Sequence, residues 1–243
     1  MKAALRLTAT ELKCVAIIAM TIDHIAYVFI SDDSPAYFFM RLIGRLTAPI
    51  MTYMLVESFI HTSNKKKYAL RLFGFALISQ LPFSLMIYKR IPNNILEVIL
   101  NLNVLFGLLL SLFILEAIAS DNIPILFRSI IIAVCIVLSD ICDLSYLIPA
   151  WTLLFYVCRG NSNIRNVAFI IVSTIILLMK FLPNYDSFSK FCFMFGVLAV
   201  PIPLGMYNGE RSRSKKATIS DKWFFYVYYP FHMAALSIIS IFV

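Results

Sequence analysis

The run from Lys13 to Tyr27, K-C-V-A-I-I-A-M-T-I-D-H-I-A-Y, sets an acid and an imidazole side by side inside an apolar stretch. With its flanks, Leu12 to Ile30, it is long enough as a helix to cross a hydrocarbon core, which takes about 20 residues. An Asp at that depth costs on the order of 2.5 to 3.5 kcal/mol on insertion scales. Asp23 and His24 are therefore expected to face protein or a water-filled space, and other helices have to supply their partners.

The rest of the chain is of the same kind. Of its 243 residues 61% are apolar and 14% charged, and the mean hydropathy is +0.86, outside the range of ordinary soluble domains. Lys2 and Arg6 before the first apolar run resemble a signal peptide. The run is too long for such a segment and lacks a small-residue cleavage site, so it counts as the first span. The net charge of +8 lies in short clusters between apolar runs, the pattern of the positive-inside rule rather than of a nucleic-acid surface. Five cysteines without a C-x-x-C pair predict neither a disulfide framework nor a metal centre.

The predicted architecture is all-α: one polytopic transmembrane bundle over residues 1–243, of about nine helices. These fall near Leu12–Ile30, Phe38–Ile60, Tyr68–Tyr88, Ile95–Ala119, Ile123–Asp140, Leu144–Cys158, Val167–Leu182, Phe188–Met206 and Trp223–Val243. Alternate loops then hold Lys2, Arg6, Lys65 to Lys67, Arg71, Arg128, Arg159, Arg165, Arg211, Arg213, Lys215, Lys216 and Lys222 on one side. The other side holds Arg41, Lys89, Arg90, Lys180 and Lys190, together with Asp32, Asp33, Asp143 and Asp186. That bias predicts an inner N-terminus and an outer C-terminus.

This topology brings Asp23, His24, Arg45, Gln80, Asn101 and Asn103 to one level in the outer half of the bundle, with His232 near the midplane and close enough to join them. A second polar layer lies at the inner surface. Glu57 and His61 share a helix face there at i, i+4, beside Lys13, Arg71 and Lys65, Lys66 and Lys67. Plainer roles exist for many of these: an Asp23–Arg45 bridge, Asn-mediated helix contacts, an interfacial aromatic belt from Trp223 to Tyr229. None of them explains why so many polar groups share one depth.

Eight blocks of sequence carry a family likeness. They are L-K-C-V-A-I-I-A-M-T-I-D-H from Leu12, R-L-I-G-R-L-T-A-P-I from Arg41, V-E-S-F-I-H-T from Val56, K-Y-A-L-R-L from Lys67, I-S-Q-L-P-F from Ile78, N-V-L-F from Asn103, P-L-G-M-Y-N-G from Pro203 and F-Y-V-Y-Y-P-F-H from Phe225. Together they resemble the TraX family of F-pilin acetyltransferases from one end of the chain to the other. The resemblance implies a multi-pass protein of the bacterial inner membrane that uses acetyl-CoA and, in the named member, acetylates the pilin amino terminus. It carries over Lys13, Asp23, His24, Arg45, Glu57, His61, Arg71 and His232. Gln80 stands where many relatives have Glu, and S-Y-L-I-P-A from Ser145 stands where a D-Y-G-x-x-G pattern is expected.

The implied chemistry gives His24 the role of general base or acetyl carrier, since imidazole titrates in the right range. Asp23 would orient His24 or bind Arg45, because neighbours on a helix point about 100° apart. Arg45 or His232 would stabilise the oxyanion. Lys13, Glu57, His61, Arg71 and Lys65 to Lys67 would receive the donor acetyl-CoA, and Gln80, Asn101, Asn103 and Tyr229 the acceptor, a peptide amine or a glycan. Membrane lipid surrounds the bundle. Oligomeric state stays open, with a dimer suggested by analogy alone. The competing class is a proton-coupled small transporter or flippase with Asp23, His24 and Arg45 as its relay; a non-catalytic scaffold would not need the polar cluster.

Overall fold

The computed structural model describes residues 6–181, 192–212 and 217–242, without the side chains of 180, 181, 217–222, 241 and 242. The predicted residues Lys2, Asp186, Lys190, Arg213, Lys215 and Lys216, and the start of the predicted span from Phe188, lie outside the described residues. The described secondary structure is helical, with two isolated β-bridges, Leu7 to Tyr207 and Leu102 to Cys142.

Helix α1 covers Ala9–Phe29. It starts at a capping box: Thr8 N donates to Glu11 Oε2 at 2.8 Å, and Glu11 N donates to the Thr8 hydroxyl at 3.4 Å, satisfying amides that a helix start leaves open. Its buried face is Leu12, Ala16, Ala19, Met20, Asp23 and Ala26, a stripe of small residues that lets neighbours come close around one carboxylate.

The span predicted for 38–60 is two helices, α2 (Pro35–Gly44) and α3 (Thr47–His61). Pro49 accounts for the break. In a continuous helix its ring would clash with the Arg45 carbonyl and could not donate to it, whereas in the first turn of α3 neither matters. The span predicted for 95–119 is likewise divided, into α5 (Ile95–Ile99) and α6 (Val104–Ala119), with α4 (Lys65–Tyr88) continuous before it. Helix α7 (Ile125–Leu138) leads through a 3-10 turn, Ser139–Ile141, to α8 (Leu147–Val157) and α9 (Ser162–Phe181). The predicted span 188–206 is a 3-10 helix, Phe193–Ala199, followed by the short α10 (Pro201–Gly205). Helix α11 covers Ala217–Phe242.

Helices α1, α3, α4, α6, α8 and α11 enclose the centre. Helix α11 runs along α4 and touches α1, α6 lies between α4 and α8, and α2 is held between α1 and the 3-10 helix at 193–199. Among the described residues three helices, α1, α4 and α9, are long and apolar enough to cross a membrane. Broken backbone at such depth is tolerated where it is buried in protein or lines a cavity, and the α2–α3 break does line one.

Candidate active site in the central chamber

A cavity of about 850 Å³ runs through the bundle. One end is bordered by Thr10, Lys13, Glu57, His61, Lys67, Arg71, Tyr207 and Arg211, the other by Asp23, His24, Tyr27, Arg41, Arg45, Asp143 and Tyr229. Along α1, Ile17 and Met20 lie between the two sets; along α3, Met51, Met54 and Leu55 do so, giving the passage an apolar middle. The eleven steps of helix from Lys13 to His24 rise about 16 Å.

At the second of these ends Asp23 is buried under two guanidinium groups. Arg45 Nη2 donates to both carboxylate oxygens, at 2.7 and 2.6 Å, and Arg41 Nη1 donates to Oδ2 at 2.7 Å. Arg41 and Arg45 stand i, i+4 on either side of Gly44, and a Cβ on Gly44 would overlap Asp23 itself. The Arg41 guanidinium lies 5.2 to 5.7 Å from the rings of Tyr27, Tyr37 and Phe193, cation–π contacts that help hold a buried cation. Among the described residues the partner of Arg45 Nη1 is the Met194 sulfur at 3.6 Å, a weak acceptor that leaves donor capacity towards the chamber.

His24 does not bond Asp23. Its Nδ1 lies 2.8 Å from Nε2 of His232, the two ring planes 1° apart, and His232 Nδ1 lies 2.9 Å from the Tyr228 carbonyl. A carbonyl can only accept, so His232 Nδ1 carries a proton and, in the neutral ring, Nε2 accepts. His24 Nδ1 is then the donor, and its Nε2 keeps a lone pair. Among the described residues nothing hydrogen-bonds that nitrogen, and His24 lines the chamber. The orienting group for His24 is therefore a second histidine from α11, which itself does not line the cavity, rather than the neighbouring acid.

Gln80, Asn101 and Asn103 do not reach the chamber wall. The Gln80 amide donates to the Asn101 carbonyl at 2.8 Å and to that of Val98 at 3.2 Å, and its Oε1 accepts from Asn103 N and Nδ2 at 3.0 and 2.8 Å. Asn103 Nδ2 also donates to the Ala76 carbonyl at 2.8 Å, while Oδ1 caps α6 at Leu105. Asn101 Nδ2 reaches Tyr88 Oη at 2.6 Å. These groups satisfy backbone released by the α5–α6 break, which is where their polar capacity goes. Tyr229 does line the chamber.

At the basic mouth the predicted layer divides. Lys13, Lys67, Arg71, Glu57 and His61 line it, but Lys65 pairs with Glu116 at 3.5 Å over the Phe59 ring, and Lys66 is exposed outside it. Arg71 lies between Tyr68 and Tyr226, 5.7 Å from each ring centre. The segment 206–211 closes over α1 through Leu7 N to Met206 O at 2.7 Å and Thr10 Oγ1 to Arg211 O at 3.1 Å.

Among the wall residues that the sequence does not mark as part of a site are Arg41, Asp143, Tyr207 and Arg211. Arg41 had a usable signal, its i, i+4 spacing from Arg45. Asp143 had none, since an acid in a connecting segment shows no periodicity.

The fold and the chamber define a class: a membrane-type helical protein that buries an ion cluster and an oriented imidazole at the end of an enclosed passage. The chain belongs to the TraX family, matching the family described as "TraX protein" over residues 8–240. It is similar to the probable fimbrial assembly protein FimC, serogroup H1, of Dichelobacter nodosus, at 32% identity over 234 residues, 94% of each chain. No solved structure matches it.

Proposed function

We propose that the chain is an integral inner-membrane acetyltransferase that accepts acetyl-CoA at the basic mouth and passes the acetyl group to an amine or hydroxyl near His24. The observation that carries this reading is one cavity joining Lys13, Lys67, Arg71 and Arg211 to Nε2 of His24, which nothing among the described residues hydrogen-bonds. The nucleotide phosphates of the donor suit the cationic mouth. Its pantetheine arm suits the apolar, methionine-lined middle, whose flexible side chains adapt to a ligand. With the N-terminus inside, the mouth faces the cytoplasm, where the donor is made.

In the reaction the acceptor attacks the thioester carbonyl while His24 Nε2 takes its proton, and the imidazolium then protonates the departing thiolate. His232 holds His24 in the tautomer that leaves Nε2 free. Arg45 Nη1, with donor capacity left towards the chamber, would receive the carbonyl oxygen as charge develops on it. Asp23 positions both guanidiniums. The fimbrial assembly name of the relative suggests the amino terminus of a pilus subunit as acceptor.

The test is transfer of radiolabelled acetyl from acetyl-CoA by detergent-purified protein. His24→Ala is expected to lose about 10²–10⁴-fold in rate, the share of a positioned acid–base group, at nearly unchanged thermal stability. Full transfer by this variant removes His24 from the mechanism. The interrupted helices α2–α3 and α5–α6 also suit a proton-coupled transporter. That reading predicts proton flux in liposomes with no acetyl transfer.

A further inference from the structure

Asp143 has no task in the scheme above, yet the fold places it with care. Its N–H donates to the Leu102 carbonyl at 2.7 Å and Leu102 N donates to the Ile141 carbonyl at 2.8 Å, which clamps the residue against the gap between α5 and α6. Leu144 and Ser145 follow at φ 63° and 48°, left-handed values that cost a leucine on the order of 1 kcal/mol or more. Ser145 Oγ holds the turn by donating to Asp140 Oδ1 at 2.7 Å. The result is a carboxylate in the chamber wall with open surface, beside Arg41 and Arg45.

A mere counter-ion for the surplus positive charge of the Asp23, Arg41 and Arg45 trio would gain most by direct pairing, as Asp23 does. Among the described residues Asp143 makes no ion pair within 4.0 Å. Its open surface is available to something that enters the chamber.

The chemistry of the two acceptor classes differs by one proton. A hydroxyl sheds one proton on acylation, and His24 alone can take it. An amine arrives near neutral pH mostly as ammonium, with a usual α-amino pKa of about 7.7 to 8.0, so it sheds two. We propose that Asp143 anchors the ammonium group of an amine acceptor and takes its first proton, an inference that rests on the acetyl-transfer reading. The ammonium gives one proton to Asp143, and the freed nitrogen lone pair forms the N–C bond. The second proton goes to His24 Nε2 as the C–S bond breaks with its electron pair on sulfur, and the imidazolium returns that proton to the thiolate. Asp143 releases its own proton to water as product leaves. In an enclosed site the ion pair is the costly form, which favours the transfer that leaves two neutral groups.

The experiment compares a tripeptide beginning with alanine with its counterpart beginning with lactate, hydroxyl in place of amine, using the full chain and radiolabelled acetyl-CoA between pH 6 and pH 10. Asp143→Asn is expected to lose about tenfold or more with the amine at pH 7, because the ammonium then enters the chamber without its counter-charge. The lactyl peptide should lose much less, and the amine deficit should shrink as the pH passes the amine pKa. Asp143→Glu, which keeps a carboxylate, should restore part of the amine transfer. Equal losses for both peptides, or a deficit that does not vary with pH, overturn the assignment and leave Asp143 a structural residue. Wild-type protein that transfers acetyl to the lactyl peptide alone overturns it while sparing the acetyl-transfer reading. Wild-type protein that transfers to neither and does not hydrolyse acetyl-CoA overturns both.

Discussion

At the scale of single residues, the Asp23 cluster buries three charges together. Removing one partner of a buried ion pair strands the other charge, whereas removing the whole set can be neutral. Asp23→Ala is therefore expected to destabilise by about 3–5 kcal/mol, measured as denaturant unfolding in detergent. Arg45→Met should cost more than Arg41→Met, since Arg45 bonds both oxygens and Arg41 only one. The sequence made Asp23, His24, Arg45 and His232 readable because a polar group in an apolar helix is expensive and so must have a purpose. It did not reveal which pairs with which. Asp23 and His24 are adjacent in the chain, yet one serves the guanidiniums and the other a histidine 208 residues away.

At the scale of helices, continuity was harder to read than existence. A break inside an apolar stretch changes composition little, so the α5–α6 gap shows only as two asparagines that pass for interhelical glue. The α2–α3 gap had a legible cause in Pro49. Glycine reveals how tightly the short α2 is held. A Cβ at Gly44 would overlap Asp23, and one at Gly196 would overlap the Leu42 carbonyl, whereas nothing lies within 4 Å of one at Gly74 in α4. Gly44→Ala should therefore abolish folded protein, and Gly74→Ala should raise stability by about 0.5–1 kcal/mol through helix propensity, both measured by thermal unfolding.

The five residues of α5 depend on Glu97, which Arg90 and the Asn93 amide hold below the ordinary glutamate value of 4.5. A depressed carboxylate stabilises the fold above its unfolded pKa and stops doing so as the pH falls through the folded one. Amide exchange across 95–100 should therefore quicken as the pH drops below 4.5, once corrected for intrinsic rates. In Glu97→Gln that acid-dependent step should be absent.

At the scale of the whole molecule, the cavity that reaches from Thr10 and His61 to Tyr27 and Asp143 makes the protein a possible hole in an electrical insulator. A bilayer holding a potential does not tolerate a continuous file of water, and protons move along such a file readily. The methionine-lined stretch between the two polar ends stands against this, because apolar walls hold water poorly when nothing fills the space between them. On the acetyl-transfer reading, the side chains that would make room for a long flexible donor are also the ones that keep the membrane from short-circuiting.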